Sequence, residues 1–458
     1  MPPRRAALAA PAGDDPVAAR RGRRAGLAPA LVADVPQDAG GRQEVDDLGG
    51  HVGATPGAEA GVRRALKADV HHRERGDHRA RARSAARDGV LIPAANRRRV
   101  MAPLRFGYVG AGFMAQGVHI PNFAAIPNVE LVALAEIRSQ LGEKVQRRWG
   151  FARLYCSHAE LAADPDVEAV GVSAGFGEQA EIARDLLAAG KHVFMEKPMA
   201  ISVAQAEEIL EAGRKGGGRL MVAYMKRYDA GNEIAKRQID EFRADQAMGP
   251  LLYARNHGFC GNWIAGMDAV IERTDEPRPE QRPGRYPDWL PEPLRDRYVG
   301  YLQQYTHNVN LLRWFLGADD DARVSAVDLD DDGYTGLVTF EMRGVRAVIE
   351  SGSISHHGWD EHTQVYFRNG WVRVDSPALL QKNVSASVEV YRAGDIQTIT
   401  RPLAVPYSWS YRREAEHFVD CVRTGARFRS GGEDALTDVR LFEEVYRRFV
   451  KQPGRRKS

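Results

Sequence analysis

Cysteine is scarce in this chain. Its 458 residues hold three, Cys156, Cys260 and Cys421, far apart and odd in number. None forms a CxxC pair, so neither a disulfide framework nor a structural zinc site of the usual spacing is expected. A reducing, cytoplasmic setting suits such a chain. No apolar run reaches the ~18 residues that a membrane span requires. The balance of 64 Lys+Arg against 61 Asp+Glu leaves a net charge of +3. That total argues for neither nucleic acid nor a membrane as partner.

Aromatic residues are absent from residues 1–100, which are rich in Ala, Gly, Pro and Arg and carry 19 basic against 12 acidic side chains. A segment without aromatics buries too little apolar surface to offset chain entropy, so it reads as a disordered leader. Arginine clusters at Arg20–Arg24 and Arg97–Arg99 raise the alternative of a nucleic-acid arm, but they are scattered among acids. Arg4-Arg5 raises that of a twin-arginine export signal, but the apolar stretch after it is short and Asp14-Asp15 end it. A special case of the leader reading is upstream DNA translated from too early a start, with Met101 as the true first residue.

From Met101 the texture becomes regular. Short Val- and Leu-rich runs at Leu104–Gly110, Val129–Glu136, Glu168–Ala174, His192–Pro198 and Leu220–Arg227 alternate with helical patterns such as Glu178–Lys191. That alternation predicts a parallel, doubly wound sheet over 101–225. Beyond it, runs of period two follow one another: Leu251–His257, Arg323–Leu329, Tyr334–Met342, Val345–Ile354, His362–Asn369, Trp371–Ser376, Ala386–Arg392 and Ile396–Arg401. They predict a mixed, largely antiparallel open sheet in an α+β domain over 226–458, with one face available for helices or another subunit. Two helical patterns, Ser410–Gly425 and Ala435–Lys451, close the chain, and Glu272–Pro293, rich in Pro, Arg and Glu, reads as a surface loop.

Gly110-Ala-Gly112-Phe-Met-Ala115 has the form GxGxxA directly after the first strand. The first glycine permits a tight turn, and the second lets the backbone approach a pyrophosphate at a helix N-terminus. Phe113 and Met114 lie within that turn. Glu136 follows the second strand, 24 residues beyond Gly112. A carboxylate there accepts from ribose hydroxyls and repels a 2′-phosphate, which favours NAD; nearby Arg138 keeps NADP open. A plain structural turn with a surface glutamate is the alternative.

In MEKPMA, Glu196 and Lys197 sit at the carboxyl end of a predicted strand, the edge where such sheets bind ligands. A lysine there is able to bond a substrate hydroxyl and take its proton, although an ordinary surface lysine fits the spacing equally. In QQYTHNVNLLRWFLG, Gln303, His307 and Asn310 share one helical face, with His307 a candidate base or a satisfied core histidine. The aromatics Trp263, Trp289, Tyr298, Tyr301 and Tyr305 are candidates for a sugar-binding face or for core. His257 and Cys260 are a lone possible metal-ligand pair, too few for a site, so no metal is expected.

The GxGxxA turn, the acid after the second strand, AGKHVFMEKPMA (Ala189–Ala200), the His307 helix and the closing AEHFVDCVRTG recur in one order. Together they resemble the Gfo/Idh/MocA oxidoreductase family from Leu104 to the end of the chain. The resemblance implies a Rossmann domain holding NAD(P) and a second domain with substrate and oligomer contacts. It implies that Lys197 is catalytic, with His307 as base or relay, and that Gln303 and Asn310 contact substrate. Gln303 and Asn310 stand where the family often has Asp, Ala174-Gly175 stand for its usual Thr-Pro, and Gln179 for a common His. The expected activity is hydride transfer between nicotinamide and a secondary alcohol of a sugar, glycoside or cyclitol. The expected partner is a homo-oligomer formed through the C-terminal sheet. Two alternatives stay open: a glycosidase or lyase using NAD transiently, and a catalytically silent nucleotide sensor.

Overall fold

The structure, a computed structural model, describes residues 102–452 apart from 265–266, 278–279, 281, 283, 355–358 and 406. The readings of residues 1–100 lie outside the described residues.

The first sheet comprises β1 (Leu104–Val109), β2 (Val129–Ala135), β3 (Arg153–Tyr155), β4 (Ala169–Val172), β5 (His192–Glu196) and β6 (Leu220–Ala223). All are parallel, in the order β3-β2-β1-β4-β5-β6. The direction of winding reverses between β1 and β4, and ligands bind at such a switch point, beyond the carboxyl ends of the strands. Five of the six strands coincide with the Val- and Leu-rich runs; β3 is a three-residue edge strand that its Arg-Leu-Tyr sequence does not announce.

The connecting helices follow from their caps and stops. A π-helical turn, Ala115–His119, leads into α1 (Ile120–Ala124) after the glycine turn. Helix α2 (Ser139–Trp149) ends at Gly150 in the left-handed region, which favours glycine. Helix α3 (His158–Ala163) starts with a complete capping box from Ser157 and Glu160. Helices α4 (Phe176–Ala188) and α5 (Val203–Gly216) cover the opposite face from α1 and α2. A 3-10 turn, Met225–Tyr228, leads from β6 to α6 (Ala230–Asp245), whose first amides are capped by Asp229.

The second sheet has eight strands: β7 (Leu251–Cys260), β8 (Ala322–Leu329), β9 (Gly336–Met342), β10 (Val345–Ser353), β11 (Trp359–Phe367), β12 (Gly370–Asp375), β13 (Ser387–Arg392) and β14 (Thr398–Thr400). They lie in the order β14-β13-β12-β11-β7-β10-β9-β8, antiparallel except for β7 beside β10. One face packs on α6, on α7 (Arg295–Leu316) and on α9 (Gly432–Val450) through Phe340, Ile349, Val365, Val372 and their neighbours. Tyr298, Tyr301 and Tyr305 are buried in this core, with their hydroxyls bonded to Ile201 O, Ser351 Oγ and Gly352 O. They form core and offer no sugar-binding face.

The last two helices return to the first sheet. Phe418 of α8 (Ser410–Thr424) packs its ring 5.6–6.3 Å from those of Phe106, Phe123 and Phe194. Ala435, Leu436 and Val439 of α9 join the core on the opposite face, and Ser430 O accepts the amide of Val222 in β6. Phe418 is fully buried. Phe418→Ala leaves a cavity in the first sheet's core and is expected to cost about 3–5 kcal/mol of unfolding free energy, measured by denaturant titration.

Candidate active site

The glycine turn is built as its sequence requires. Gly110 has φ +91°, and a Cβ there would stand 2.3 Å from the carbonyl oxygen of Ser173 in the loop after β4. Only glycine fits this crossing of two loops. A Cβ on Gly112 would meet nothing within 4 Å, so this position faces open space, as a backbone that approaches a pyrophosphate must. The turn, the start of the following helix and the switch point between β1 and β4 therefore fit a dinucleotide. Phe113, in the first turn of that helix, packs edge-on to Trp263 at 5.5 Å, and Met114 joins the same small apolar cluster.

Glu136 is buried at the end of β2. It accepts the Ala111 amide at 2.7 Å, which locks it to the glycine turn. Its two oxygens also accept from Arg138 Nε at 2.8 Å and Nη2 at 3.1 Å. The acid and the base that argue for different cofactors thus hold each other.

Lys197 follows β5 at the carboxyl edge. Gln179, which stands where the family commonly has His, donates to the carbonyl oxygens of Glu196 and Pro198 and so fixes this turn from below. Glu196 points back into the fold and accepts from His119 at 2.7 Å and from the Lys197 amide at 3.1 Å. Burial opposes its ionisation, but these donors outweigh it and hold its carboxyl below the ordinary range. Behind it lies Glu414, fully buried, with no hydrogen-bond partner for either oxygen among the described residues. Burial and the charge of Glu196 push its pKa well up, so Glu414 is a neutral acid.

The Lys197 ammonium donates to the carbonyl of Gln303 in α7 at 3.1 Å. Burial and the charge of Lys226 lower its pKa, against an opposing pull from Glu196. His307, one turn further along α7, is 4% exposed, and neither ring nitrogen has a partner among the described residues. Its pKa is driven well below the ordinary value by burial, Lys197 and Lys226. It is a neutral imidazole edge-on to Tyr224. The structure therefore brings Lys197 and His307 together. Gln303 joins them through its main-chain carbonyl.

Asn310 is not brought to this group. Its amide donates to Asp434 at 3.2 Å and to Asp438 at 2.7 Å, inside an ion network with Arg227 and Arg313. Helix α7 is buried on all sides near His307, so the shared face of the helical-wheel reading divides between two environments. His257 and Cys260 do not converge either, because their odd spacing puts them on opposite faces of β7. His257 pairs with Glu350 on the outer face, whereas the Cys260 thiol is buried and pushed up to about 12, chiefly by that burial.

Two residues of this site carried no signal of their own in sequence. Lys226, from the 3-10 turn after β6, is buried in an ion pair with Glu361 of β11. Glu361 also accepts from Asn308 at 3.2 Å. The pair joins residues 135 positions apart and places a second ammonium beside Lys197 and His307.

Residues 104–224 match the family model described as "Oxidoreductase family, NAD-binding Rossmann fold". Over longer stretches the chain is 22% identical to an uncharacterized oxidoreductase, YrbE, of Bacillus subtilis, covering 73% of this chain and 91% of that protein. It is likewise 22% identical to the myo-inositol 2-dehydrogenase of Thermotoga maritima, covering 72% and 92%. Among solved structures, an aldose-aldose oxidoreductase of Caulobacter crescentus complexed with glycerol superposes with TM-score 0.57 at 22% identity, over 76% of this chain and 97% of that one. A levoglucosan dehydrogenase complexed with NADH and levoglucosan gives 0.58 at 18% identity, over 76% and 98%. These comparisons mark the chain as an NAD(P)-binding oxidoreductase that acts on CH–OH groups. The model matched over residues 104–224 is that of the Gfo/Idh/MocA oxidoreductases.

Because His307 is neutral when folded and returns to the ordinary imidazole value of 6.5 when unfolded, the unfolded chain binds the extra proton. Stability is then lost as pH falls below 6.5, by up to about 1.4 kcal/mol per pH unit for one proton. His307→Gln is expected to make the fall of unfolding free energy between neutral and mildly acid pH shallower, read by denaturant titration across that range.

Proposed function

We propose that the enzyme oxidises a secondary alcohol of a sugar, glycoside or cyclitol, with Lys197 as the residue that takes the hydroxyl proton. The observation that carries this reading is a lysine of lowered pKa at the carboxyl edge of the sheet, beside a neutral histidine whose two ring nitrogens have no partner among the described residues. The bound dinucleotide supplies the hydride acceptor. The chain's own residues handle the proton and the alkoxide. Lys197 in its neutral form accepts the hydroxyl proton, and His307 accepts or relays it through a ring nitrogen. The Lys226 ammonium favours negative charge developing on the substrate oxygen.

In this reading residues 101–225 form the dinucleotide unit and 226–458 the substrate unit. Gly110, Gly112, Phe113, Met114 and Glu136 hold the dinucleotide, and Gln303 orients the substrate beside Lys197. NAD is the preferred cofactor. The outer face of the second sheet carries an aromatic row, Tyr253, Tyr366, Trp371 and Tyr391, on adjacent paired strands. It is the surface for a second copy of the chain. The free thiols of Cys156, Cys260 and Cys421 support a reducing cytoplasm as its setting. Among the described residues no helix is long and apolar enough to cross a membrane.

The test is nicotinamide absorbance with NAD+ and NADP+ against sugars, glycosides and inositols. Reduced cofactor is expected to form, and kcat/KM for oxidation is expected to rise with pH through an ionisation below the ordinary lysine value of 10.5. Lys197→Ala is expected to lose about 100-fold or more in kcat. Lys197→Arg, which cannot give up its proton, is expected to lose as much and to abolish the pH dependence. Substrate consumed without reduced cofactor would replace this reading with a reaction that returns the hydride. Nucleotide binding unaffected by Lys197→Ala, with nothing consumed, would point to a sensor.

A further inference from the structure

Residues 261–291, between β7 and the turn before α7, contain no helix or strand among their described positions. Sequence places this stretch on the surface; the structure shows what it lies on. It leaves the second sheet and runs back along the dinucleotide unit. Gln116 and Glu272 exchange bonds: the Glu272 amide donates to Gln116 Oε1 at 2.8 Å, and Gln116 Nε2 donates to Glu272 O at 3.2 Å. The same Gln116 Nε2 donates to Ala111 O in the glycine turn at 2.7 Å. Arg148 and Lys144 of α2 donate to the carbonyls of Val270 and Arg273. Further on, Arg282 pairs with Glu181 of α4, and Arg285 with Glu208 of α5, on the other face of the sheet. The anchors of this strap therefore lie on both sides of the carboxyl edge where a dinucleotide is held.

Its firmest anchor is Glu276. Helix α2 starts directly after Glu136 and Arg138, and no side chain of its own caps it. The cap is a carboxylate more than a hundred residues away. Glu276 Oε1 accepts the Gln140 amide at 2.9 Å and the Ser139 hydroxyl at 3.3 Å. Oε2 accepts the Leu141 amide at 2.9 Å and the Thr274 hydroxyl at 3.0 Å. Two helix amides and a serine hydroxyl, on the residues that directly follow Arg138, make a donor set of the kind that receives a phosphate. It lies next to the acid expected to hold the adenosine ribose, where the 2′-phosphate of NADP must go. The chain fills it with an anion of its own.

We propose that Glu276 is the residue that sets cofactor choice. Its carboxylate occupies the anion site at the start of α2, so NAD is taken and NADP is refused. Glu136 and Glu276 act together: the first engages the ribose hydroxyls, and the second denies a phosphate the amides it needs, an exclusion by like charge at a filled site. The inference rests on the dinucleotide reading of the glycine turn.

The test measures dissociation constants of NADH and NADPH for the full chain by tryptophan fluorescence, with Trp263 beside the glycine turn as reporter. The wild type is expected to bind NADH more tightly. Glu276→Ala is expected to tighten NADPH binding by at least tenfold and to leave NADH within about twofold. Glu276→Gln, which keeps the shape and removes the charge, is expected to fall between. Wild-type preference for NADPH would overturn the proposal. So would a Glu276→Ala variant in which both constants stay unchanged while melting temperature drops, the signature of a helix cap alone. Equal tightening of both nucleotides would also overturn it, leaving a strap without selectivity. If NADH fails to bind wild type and variants alike, the dinucleotide reading falls and takes this proposal with it. If NADH binds and the ratio ignores Glu276, only the proposal falls.

Discussion

Arg313 has no exposed side-chain surface, and its guanidinium lies between Asp434 and Asp438 of α9 at 3.0 and 2.8 Å. Arg227, from the turn after β6, meets Asp434 from the other side, and Asn310 donates to both acids. Burial opposes the ionisation of Asp434, yet the two arginines outweigh it and hold its carboxyl below the ordinary range. Such a network costs desolvation and contributes little net stability unless every charge is met. What it fixes is position. It ties α7, α9 and the 3-10 turn together, and those elements carry His307, Gln303 and Lys226. The first sheet supplies Lys197, and α7 supplies its partner carbonyl, so the clasp around Arg313 sets the register between the two halves of the site.

Within that frame the site is arranged by charge. Two lysines and a neutral imidazole converge there, with Glu361 engaged by Lys226 and Asn308 and Glu196 by His119 and the Lys197 amide. The Lys226 ammonium makes Lys197 harder to keep protonated, and both lysines make an imidazolium at His307 unfavourable. Under the proposed function, an alcohol bound there would meet two candidate bases and a positive field that favours its deprotonated form. The Gln in place of an acid at position 303 belongs to the same arrangement. His307 needs no carboxylate partner if it is not required to stand as a cation.

Much of this was legible in sequence because periodicity and turn chemistry are local. The five Val- and Leu-rich strands, the glycine turn, the lysine at the end of β5 and the eight strands of the second sheet all announce themselves within a few residues. What stayed hidden depends on long-range approach. Asn310 shares a helical face with His307, but α7 is enclosed on all sides, and the nearest acids on α9 claimed its amide. Lys226 and Glu361 look ordinary until β11 is laid beside β7. The stretch Glu272–Pro293 has the composition of a loop, and composition says nothing about which helix start a loop carboxylate will cap.

The C-terminal helices have a consequence for how the molecule comes into being. Phe418 and Phe428 on one face of the first sheet, and Leu436 and Val439 on the other, complete cores whose strands were made about two hundred residues or more earlier. A ribosome that has just released β6 has therefore produced a sheet with apolar surface on both sides still uncovered. That surface must wait through the synthesis of the whole second sheet before its covering helices emerge. The dinucleotide unit is first in the order of translation and last in the order of completion.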